Sequence, residues 1–463
     1  MITALATPNM TTLQIGLLFG LATITVLFSG MPIAFALGSV ASVFMYFFMP
    51  HASLDTVAQN VYEEMASITL LTIPLFILKG AAIGKSRAGK DLYSALHIWL
   101  SKVPGGLGIA VTIACGLFAA MAGSSAATCS AIGSSAIPEM RQRGYSARLC
   151  AGLVAAGGTL GILLPPSITL ILFAVAAEQS LGRLFLAGII PGLLLVVLFA
   201  LYGMFKYRSE VSAAQKIADQ GGERARILQV DNYSVREKFA ALPKVLPFLT
   251  LLLGVMLALY GGFATPSETA GLGAILALVL IAVVYGAYKF SDLKPIFTST
   301  LSEATMLMMI IGMSLLYSYV MSYLHISQSA AEWVVDLHLS KWTLFMAVSA
   351  LVVILGFFLP PVSIILMTAP IILPPLRAQG FDLIWFGVVM SVIMEMGLIH
   401  PPVGLNIFVI NNIAPDIPLK DVVWGTLPFV FLIMFAVFLL CLFPQLVLGM
   451  PDYVFGAVSS RAS

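Results

Sequence analysis

Two stretches of this chain put helix breakers where the surrounding composition demands a helix. In Gly157-Gly158-Thr159-Leu160-Gly161-Ile162-Leu163-Leu164-Pro165-Pro166-Ser167 the adjacent prolines remove two N–H donors, and the three glycines weaken the helix ahead of them. A second stretch, Gly397-Leu398-Ile399-His400-Pro401-Pro402-Val403-Gly404-Leu405-Asn406, follows the same plan. Both lie inside long apolar runs. Carbonyls freed at such a break cannot stay bare in hydrocarbon, where each unsatisfied group costs several kcal/mol, so they must face protein, water or a cation. Na+ suits them well. A half-helix that restarts beyond the break presents free N–H groups and a positive dipole end, which can hold a carboxylate without any arginine.

Two further interruptions offer the same chemistry. Gly123-Ser124-Ser125 splits the double apolar run 105–140, and Leu359-Pro360-Pro361 splits 341–376, so both runs read as hairpins with polar or proline tips. Ser124, Ser125 and Thr128 add hydroxyls that can serve an ion or an anion, and the second half supplies Asn406, Asn411 and Asn412. These small residues could also serve only to pack helices. A proline pair in one apolar helix is usually a packed kink; two pairs at equivalent positions favour a site. Glu395 lies beside the second break, where a carboxylate costs roughly 2.5–3.5 kcal/mol to insert, so a part in ion or proton coupling is expected of it. The other reading is a glutamate bonded to backbone amides. His400 reads as structural, Glu268 as a cap in the first turn of a helix, and Met306, Met308, Met309 and Met313 as packing.

The elements that must position these groups are membrane helices. Of 463 residues, 60% are hydrophobic and 10% are charged, against about 25% charged in an average soluble domain. A soluble fold is excluded on that ground. Apolar runs place spans at 13–29, 31–49, 66–84, 146–177 and 184–205, then at 242–260, 266–288, 303–323, 383–413 and 424–448. Segments 87–103 and 326–341 mix Trp, His and Lys with apolar residues and read as arms lying at the interface, able to brace a moving hairpin domain against a fixed scaffold.

Charge sets the expected orientation. The polar segment 206–244 carries Lys206, Arg208, Lys216, Arg224, Arg226, Arg236, Lys238 and Lys244, so residues 206–241 should form a cytoplasmic linker. Counting spans outward puts Lys79, Lys85, Arg87, Lys90, Lys102, Arg141, Arg143, Arg148, Lys289, Lys294 and Lys420 inside as well, with 51–64 and 324–340 outside; Arg377 is the one dissenter. Both termini should then be periplasmic. The net charge of +2 gives no basic stripe for nucleic acid, and Cys115, Cys129, Cys150 and Cys441 form no CxxC and read as small buried hydrophobes. The first Lys or Arg is Lys79, so no basic signal-peptide region precedes the first run, which should be retained.

A shift of 236 residues carries Pro138, Arg141, Gly144, Gly161, Pro165 and Pro166 onto Pro374, Arg377, Gly380, Gly397, Pro401 and Pro402. The chain is therefore an internal duplication, 1–205 and 242–463. Each copy has five crossings, an odd number, so the second must be inverted relative to the first. The fold class expected is an all-α polytopic membrane protein, an inverted repeat with two re-entrant hairpins and two broken helices. That is the plan of secondary transporters, with substrate and ions near the midplane. Under the same shift Ser124 and Ser125 fall on Pro360 and Pro361, and Leu170 falls on Asn406, so the polar chemistry is asymmetric.

Over essentially its whole length the chain resembles the large membrane subunit of TRAP (tripartite ATP-independent periplasmic) transporters. The resemblance rests on Gly123-Ser124-Ser125-Ala126-Ala127-Thr128 with Ile137-Pro138, on both broken stretches, and on Phe185-Leu186-Ala187-Gly188-Ile189-Ile190-Pro191-Gly192. The tip Gly356-Phe357-Phe358-Leu359-Pro360-Pro361 and Met394-Glu395-Met396-Gly397 are most similar to the four-carbon dicarboxylate branch. The resemblance implies an elevator in the bacterial inner membrane, driven by Na+ with no other cofactor. It implies two partners, a soluble periplasmic binding protein that delivers an organic acid and a small four-helix membrane subunit. That subunit is expected to be a separate chain, because no further spans precede residue 13. Carried over by motif, the ion sites fall at Ser124, Ser125, Gly158, Thr159, Pro360, Glu395 and Gly397. The expected substrate contacts are Thr128, Pro165, Pro166, Ser167, Pro361, Ser363, Pro401, Pro402, Gly404 and Asn406. Two other readings compete: a stand-alone proton- or Na+-coupled carboxylate transporter, and a passive channel. An intramembrane hydrolase at Ser124 or Ser125 is disfavoured, since no HExxH, no GxSG-type motif and no intramembrane aspartate pair is present.

Overall fold

A computed structural model describes residues 10–50, 53–219, 233–336 and 340–456, and every regular element among them is helical. The first half runs α1 (Thr12–Phe28), α2 (Ile33–Phe48), α3 (Ser53–Met65), α4 (Ile68–Gly84), α5 (Ala88–Leu100), α6 (Gly106–Ala122), α7 (Ser125–Gln142), α8 (Ala147–Thr159), α9 (Ile168–Ala176) and α10 (Leu181–Asp219). A single 3-10 turn, Leu160–Ile162, continues α8 into the first break. The second half runs α11 (Val235–Tyr260), α12 (Pro266–Tyr285), α13 (Phe290–Tyr323), α14 (Ile326–Asp336), α15 (Lys341–Gly356), α16 (Pro361–Ala378), α17 (Leu383–Ile399), α18 (Leu405–Ile413), α19 (Leu419–Leu442) and α20 (Gln445–Phe455).

The 236-residue shift holds at the level of elements. It carries the first residue of α7 onto that of α16, and the first residue of α8 onto that of α17. The turns between them match as well. Gly144 (φ 85°) and Gly380 (φ 71°) both adopt the left-handed conformation that only glycine takes cheaply. Tyr145 then donates to the Met140 carbonyl, and Phe381 to that of Leu376, closing the same C-terminal motif twice. Side chains finish the joint: Ser146 caps α8, and Asp382 caps α17. The Pro165-Pro166 and Pro401-Pro402 peptide bonds are both cis.

Two layers result. α8 packs against α7, α6 and α19, and α17 against α15, α19 and α10. Every residue of α17 is buried, as is α8 from Leu149 onward. Around this core α12 packs on α4, α13 on α2, α1 on α2 and α11 on α12, with bare apolar faces such as Leu253, Leu257, Val279 and Val283 turned outward. The two arms join the layers. α5 lies between α11 and the α6–α7 hairpin, while α14 lies between α1, α13 and α16.

Among the described residues six helices are long and apolar enough to cross a bilayer: α10, α11, α12, α13, α16 and α19. α3 and α4 pass the same test as one pair bent by 50°. α16 is a hairpin limb, which length alone does not distinguish from a crossing. α1 and α2, at 17 and 16 residues, fall about a turn short of the roughly 30 Å core at 1.5 Å per residue.

Several boundaries differ from the sequence reading. The linker 206–241 is helical over its described parts, because α10 continues to Asp219 and α11 begins at Val235; residues 220–232 lie outside the described residues. The outside stretch 51–64 holds α3, apart from His51 and Ala52, which are likewise not described. The last span ends at Leu442, since Pro444 interrupts it and α20 turns back against α10. Lys79, counted among the inside charges, is 1% exposed. Its ammonium sits 4.9 Å from the Phe76 ring centroid, and its stem passes Gly273 of α12.

Candidate functional site

Both hairpin tips are pressed onto the breaks, and a glycine makes each contact possible. A Cβ on Gly161 would lie 2.6 Å from the Ser124 carbonyl carbon, and one on Gly397 would lie 2.3 Å from the Gly356 carbonyl oxygen. Gly161 and Gly397 are repeat equivalents. Backbone therefore meets backbone at two matching places, tip one on break one and tip two on break two. At the first tip Gly123 (φ 64°) ends α6, Ser124 accepts from the Ala127 N–H at 3.5 Å, and Thr128 donates to the Ser124 carbonyl at 2.8 Å. At the second, the Val403 N–H reaches the Phe357 carbonyl at 3.3 Å and the His400 ring stacks on Phe357 at 4.7 Å. His400 clamps the break to the tip, in keeping with a structural role.

Two side-chain bridges then tie the repeats to each other. Ser125 donates to Asn406 Oδ1 at 3.0 Å, and Asn406 Nδ2 donates to the Ala155 carbonyl at 2.8 Å. Gly158 leaves the room for this amide: a Cβ there would sit 3.0 Å from Asn406 Nδ2. The second bridge joins Thr159 Oγ1 to Glu395 Oε2 at 2.9 Å, with the Ala156 carbonyl 2.7 Å from the same hydroxyl. Thr159 and Glu395 are separated by 236 residues, so each is the other's repeat equivalent. Equivalent residues of two copies can touch only near the axis that relates them. Glu395 is wholly buried there, and its Oε1 has no hydrogen-bond partner.

The ends of the half-helices differ between the copies. In the first copy, serines cap both: Ser124 caps α7, and Ser167 caps α9 while donating to the Ile162 carbonyl at 2.6 Å. In the second, Pro360 stands at the cap position before α16 and Gly404 (φ 52°) at that before α18, with no side-chain cap at either. Ser363, 1% exposed in the first turn of α16, has a hydroxyl without a partner. Exposure follows the same division. Gly161, Pro165, Pro166 and Ser167 are all buried, whereas Pro360 and Pro402 are exposed and Pro401 half-buried. The candidate residues thus form two groups. Ser124, Ser125, Thr128, Gly158 and Thr159 gather with Glu395 and Asn406, with Pro165, Pro166 and Ser167 in the first break beside the first tip; Pro360, Pro361, Ser363, Gly397, Pro401, Pro402 and Gly404 belong to the second tip and break.

A cavity of about 560 Å³ between α4, α5, α7 and α13 reaches Ser124 and Ile168, and Lys85, Arg87, Lys90 and Glu303 line it. A second, of about 740 Å³, opens at the other end of α4 beside Glu64 and Glu178 and touches none of the tip residues named above. Among the described residues no three His, Cys, Asp or Glu side chains are grouped to hold a metal ion. A cation here would rest on carbonyls, hydroxyls and Glu395.

Some contacts had no sequence signal. Arg141 pairs with Asp416, and Arg148 with Asp421 at 2.7 Å, fastening the α7–α8 turn to the loop before α19 and to the first turn of α19. Hydrogen bonding from Arg141 holds the Asp416 carboxyl below its ordinary range. Asn411 is half-buried and Asn412 exposed. Glu268 closes a capping box with Thr265, in accord with its capping assignment.

An inverted helical repeat with paired hairpins and interrupted helices around a buried polar centre is the build of a multi-pass membrane transporter, not of an enzyme. Residues 21–446 match the family model "Tripartite ATP-independent periplasmic transporter, DctM component", and the chain belongs to that family. It is 34% identical to a C4-dicarboxylate TRAP transporter large permease protein of Pseudomonas aeruginosa, over 90% of this chain and 94% of that one. It is 28% identical to an ectoine TRAP transporter large permease of Halomonas elongata, over 96% and 100%. In fold it is similar to the Alcanivorax borkumensis YdaH transporter, with a TM-score of 0.62 at 13% identity, covering 93% of this chain and 99% of that chain.

Proposed function

We propose that this large permease carries a four-carbon dicarboxylate into the cell in symport with Na+. The core layer moves as an elevator against the outer layer, and a periplasmic binding protein and a small four-helix membrane subunit act with it. The observation that carries the reading is the joining of the two repeats at Thr159–Glu395 and Ser125–Asn406, which concentrates interrupted backbone and buried polar atoms in one place.

The difference in capping divides the labour. Na+ goes to the first copy's side, at Ser124, Ser125, Gly158 and Thr159 with Glu395; Pro360 and Gly397 serve the matching place in the second. The uncapped ends of α16 and α18 keep their N–H groups for the substrate carboxylates, with Pro361, Ser363, Gly404 and Asn406 around them. Identity to a dicarboxylate permease at 34%, against 28% to an ectoine permease, supports a diacid over a zwitterion. With the basic face cytoplasmic, the cavity reaching Ser124 is the release path, and Lys85, Arg87 and Lys90, which outnumber Glu303 in its lining, draw an anion out towards that face.

The test is radiolabelled succinate uptake into proteoliposomes containing both membrane subunits, with and without the binding protein. Uptake should require an inward Na+ gradient and the binding protein together. Uptake driven by a proton gradient in Na+-free buffer, or undiminished without the binding protein, would instead establish the stand-alone carboxylate transporter.

A further inference from the structure

The basic face holds a third cavity, about 400 Å³, away from both hairpin tips. Three elements build it. Lys102 follows the arm α5, Arg143 ends α7, and Arg208 projects from α10. Tyr145 and Tyr207 form a wall, their rings stacked with centroids 4.5 Å apart. The floor is tight: Gly105 (φ 79°) turns the chain into α6, and a Cβ there would lie 3.1 Å from the Met204 Cα. Among the described residues no acidic side chain lines the cavity. The nearby Glu139 is already engaged, by Arg143 at 3.0 Å and by His97 at 3.6 Å, whereas no acidic side chain among the described residues pairs with Lys102 or Arg208.

We propose that this cavity binds the phosphodiester headgroup of an anionic phospholipid. Its ligand chemistry, a phosphate oxyanion held by two unpaired cations and a guanidinium, is shared with free phosphate, but the rim favours a lipid. Val103, in the lining beside Lys102, is exposed, and on α10 Phe205, three residues before Arg208, is 71% exposed. Trp99 is also exposed, and its indole N–H holds the Lys238 carbonyl at 3.0 Å. Basic residues, a tryptophan and bare apolar side chains in one place are the signature of the membrane–water boundary, and basic pockets between helices on the cytoplasmic side take anionic headgroups. Because Lys102 lies just past the end of the arm, while Arg143 and Arg208 belong to the core layer, an occupant ties one to the other.

The test reads binding, so it stands or falls apart from the transport reading. Purified protein is titrated with phosphatidylglycerol, phosphatidylcholine or inorganic phosphate, and native mass spectrometry and thermal melting follow occupancy. Phosphatidylglycerol should be retained and raise the melting temperature, and Lys102→Gln with Arg208→Gln should weaken it about tenfold. Lys102→Arg with Arg208→Lys should keep it, and so should Lys289→Gln with Lys294→Gln, which removes the same charge from elsewhere on the basic face. Equal retention of phosphatidylcholine, or equal loss in the Lys289 and Lys294 variant, would overturn the site. Protection by inorganic phosphate matching that by phosphatidylglycerol would overturn the lipid as its occupant. If the double glutamine variant does not fold, failure of the swapped pair to retain phosphatidylglycerol serves as the overturning result.

Discussion

The first and second copies share a backbone and differ in nearly every polar group placed on it. The starts of α7 and α8, Gly144 and Gly161 coincide with the starts of α16 and α17, Gly380 and Gly397 after a 236-residue shift, while Ser124 and Ser125 correspond to Pro360 and Pro361, Leu170 to Asn406, and Thr159 to Glu395. The break of the first copy is buried and capped by its own serines; that of the second is open and uncapped. Duplication thus supplies the geometry, and divergence supplies the chemistry. Two identical sites would bind the same ligand twice. Two unlike ends brought together can hold a cation and an anion side by side, as the proposed symport requires.

The comparison can be broken most severely at what the copies share. Gly397→Ala drives a Cβ into the Gly356 carbonyl, and Gly161→Ala drives one into Ser124; each should cost about 1–3 kcal/mol and abolish uptake, as read by melting and flux. Unchanged melting in both would mean that the tips do not rest on the breaks. Glu395→Gln is next. It keeps the shape and the bond to Thr159 but removes the charge, so Na+-dependent uptake should fall by more than about tenfold while the protein still folds. Full Na+ dependence in that variant would take the axis contact out of the ion site.

Asn406→Leu sharpens the comparison by giving the second copy the residue of the first. It leaves the buried Ser125 hydroxyl without its acceptor, at about 1–3 kcal/mol, and should raise the succinate concentration needed for half-maximal uptake more than it alters Na+ affinity. The smallest effect belongs to Asp416. Its carboxyl is held below the ordinary range by Arg141, so the contact adds stability above the unfolded value and loses it as pH falls through the folded one. Asp416→Asn should therefore lower the melting temperature slightly at neutral pH and not at all in acid.

Much of this was legible because prolines and glycines act locally. The breaks, the tips and the repeat all follow from where helix-breaking residues recur. What brings distant residues together was not. Ser125 and Asn406 are 281 positions apart, and nothing in either neighbourhood announces the other. α3 was missed because its sequence, Ser-Leu-Asp-Thr-Val-Ala-Gln-Asn-Val-Tyr-Glu-Glu-Met, is too polar for a search by apolar runs. The charged end of α10 reads as linker from its charge density, which is not evidence against a helix: Lys, Glu and Arg are good helix formers. Lys79 counts among the inside charges by its type alone, although it is buried, with Gly273 opposite leaving a channel for its stem.

The central claim, that two inverted copies meet at the middle of the bilayer, is tested most directly at Gln142 and Ala378. They are repeat equivalents, both exposed at the outer ends of their hairpins, and Cys115, Cys129 and Cys150 are buried, with Cys441 only partly exposed. A membrane-impermeant thiol reagent should label Gln142→Cys from the cytoplasmic side only and Ala378→Cys from the periplasmic side only. Labelling of both from the same side would contradict the inversion and the site built on it.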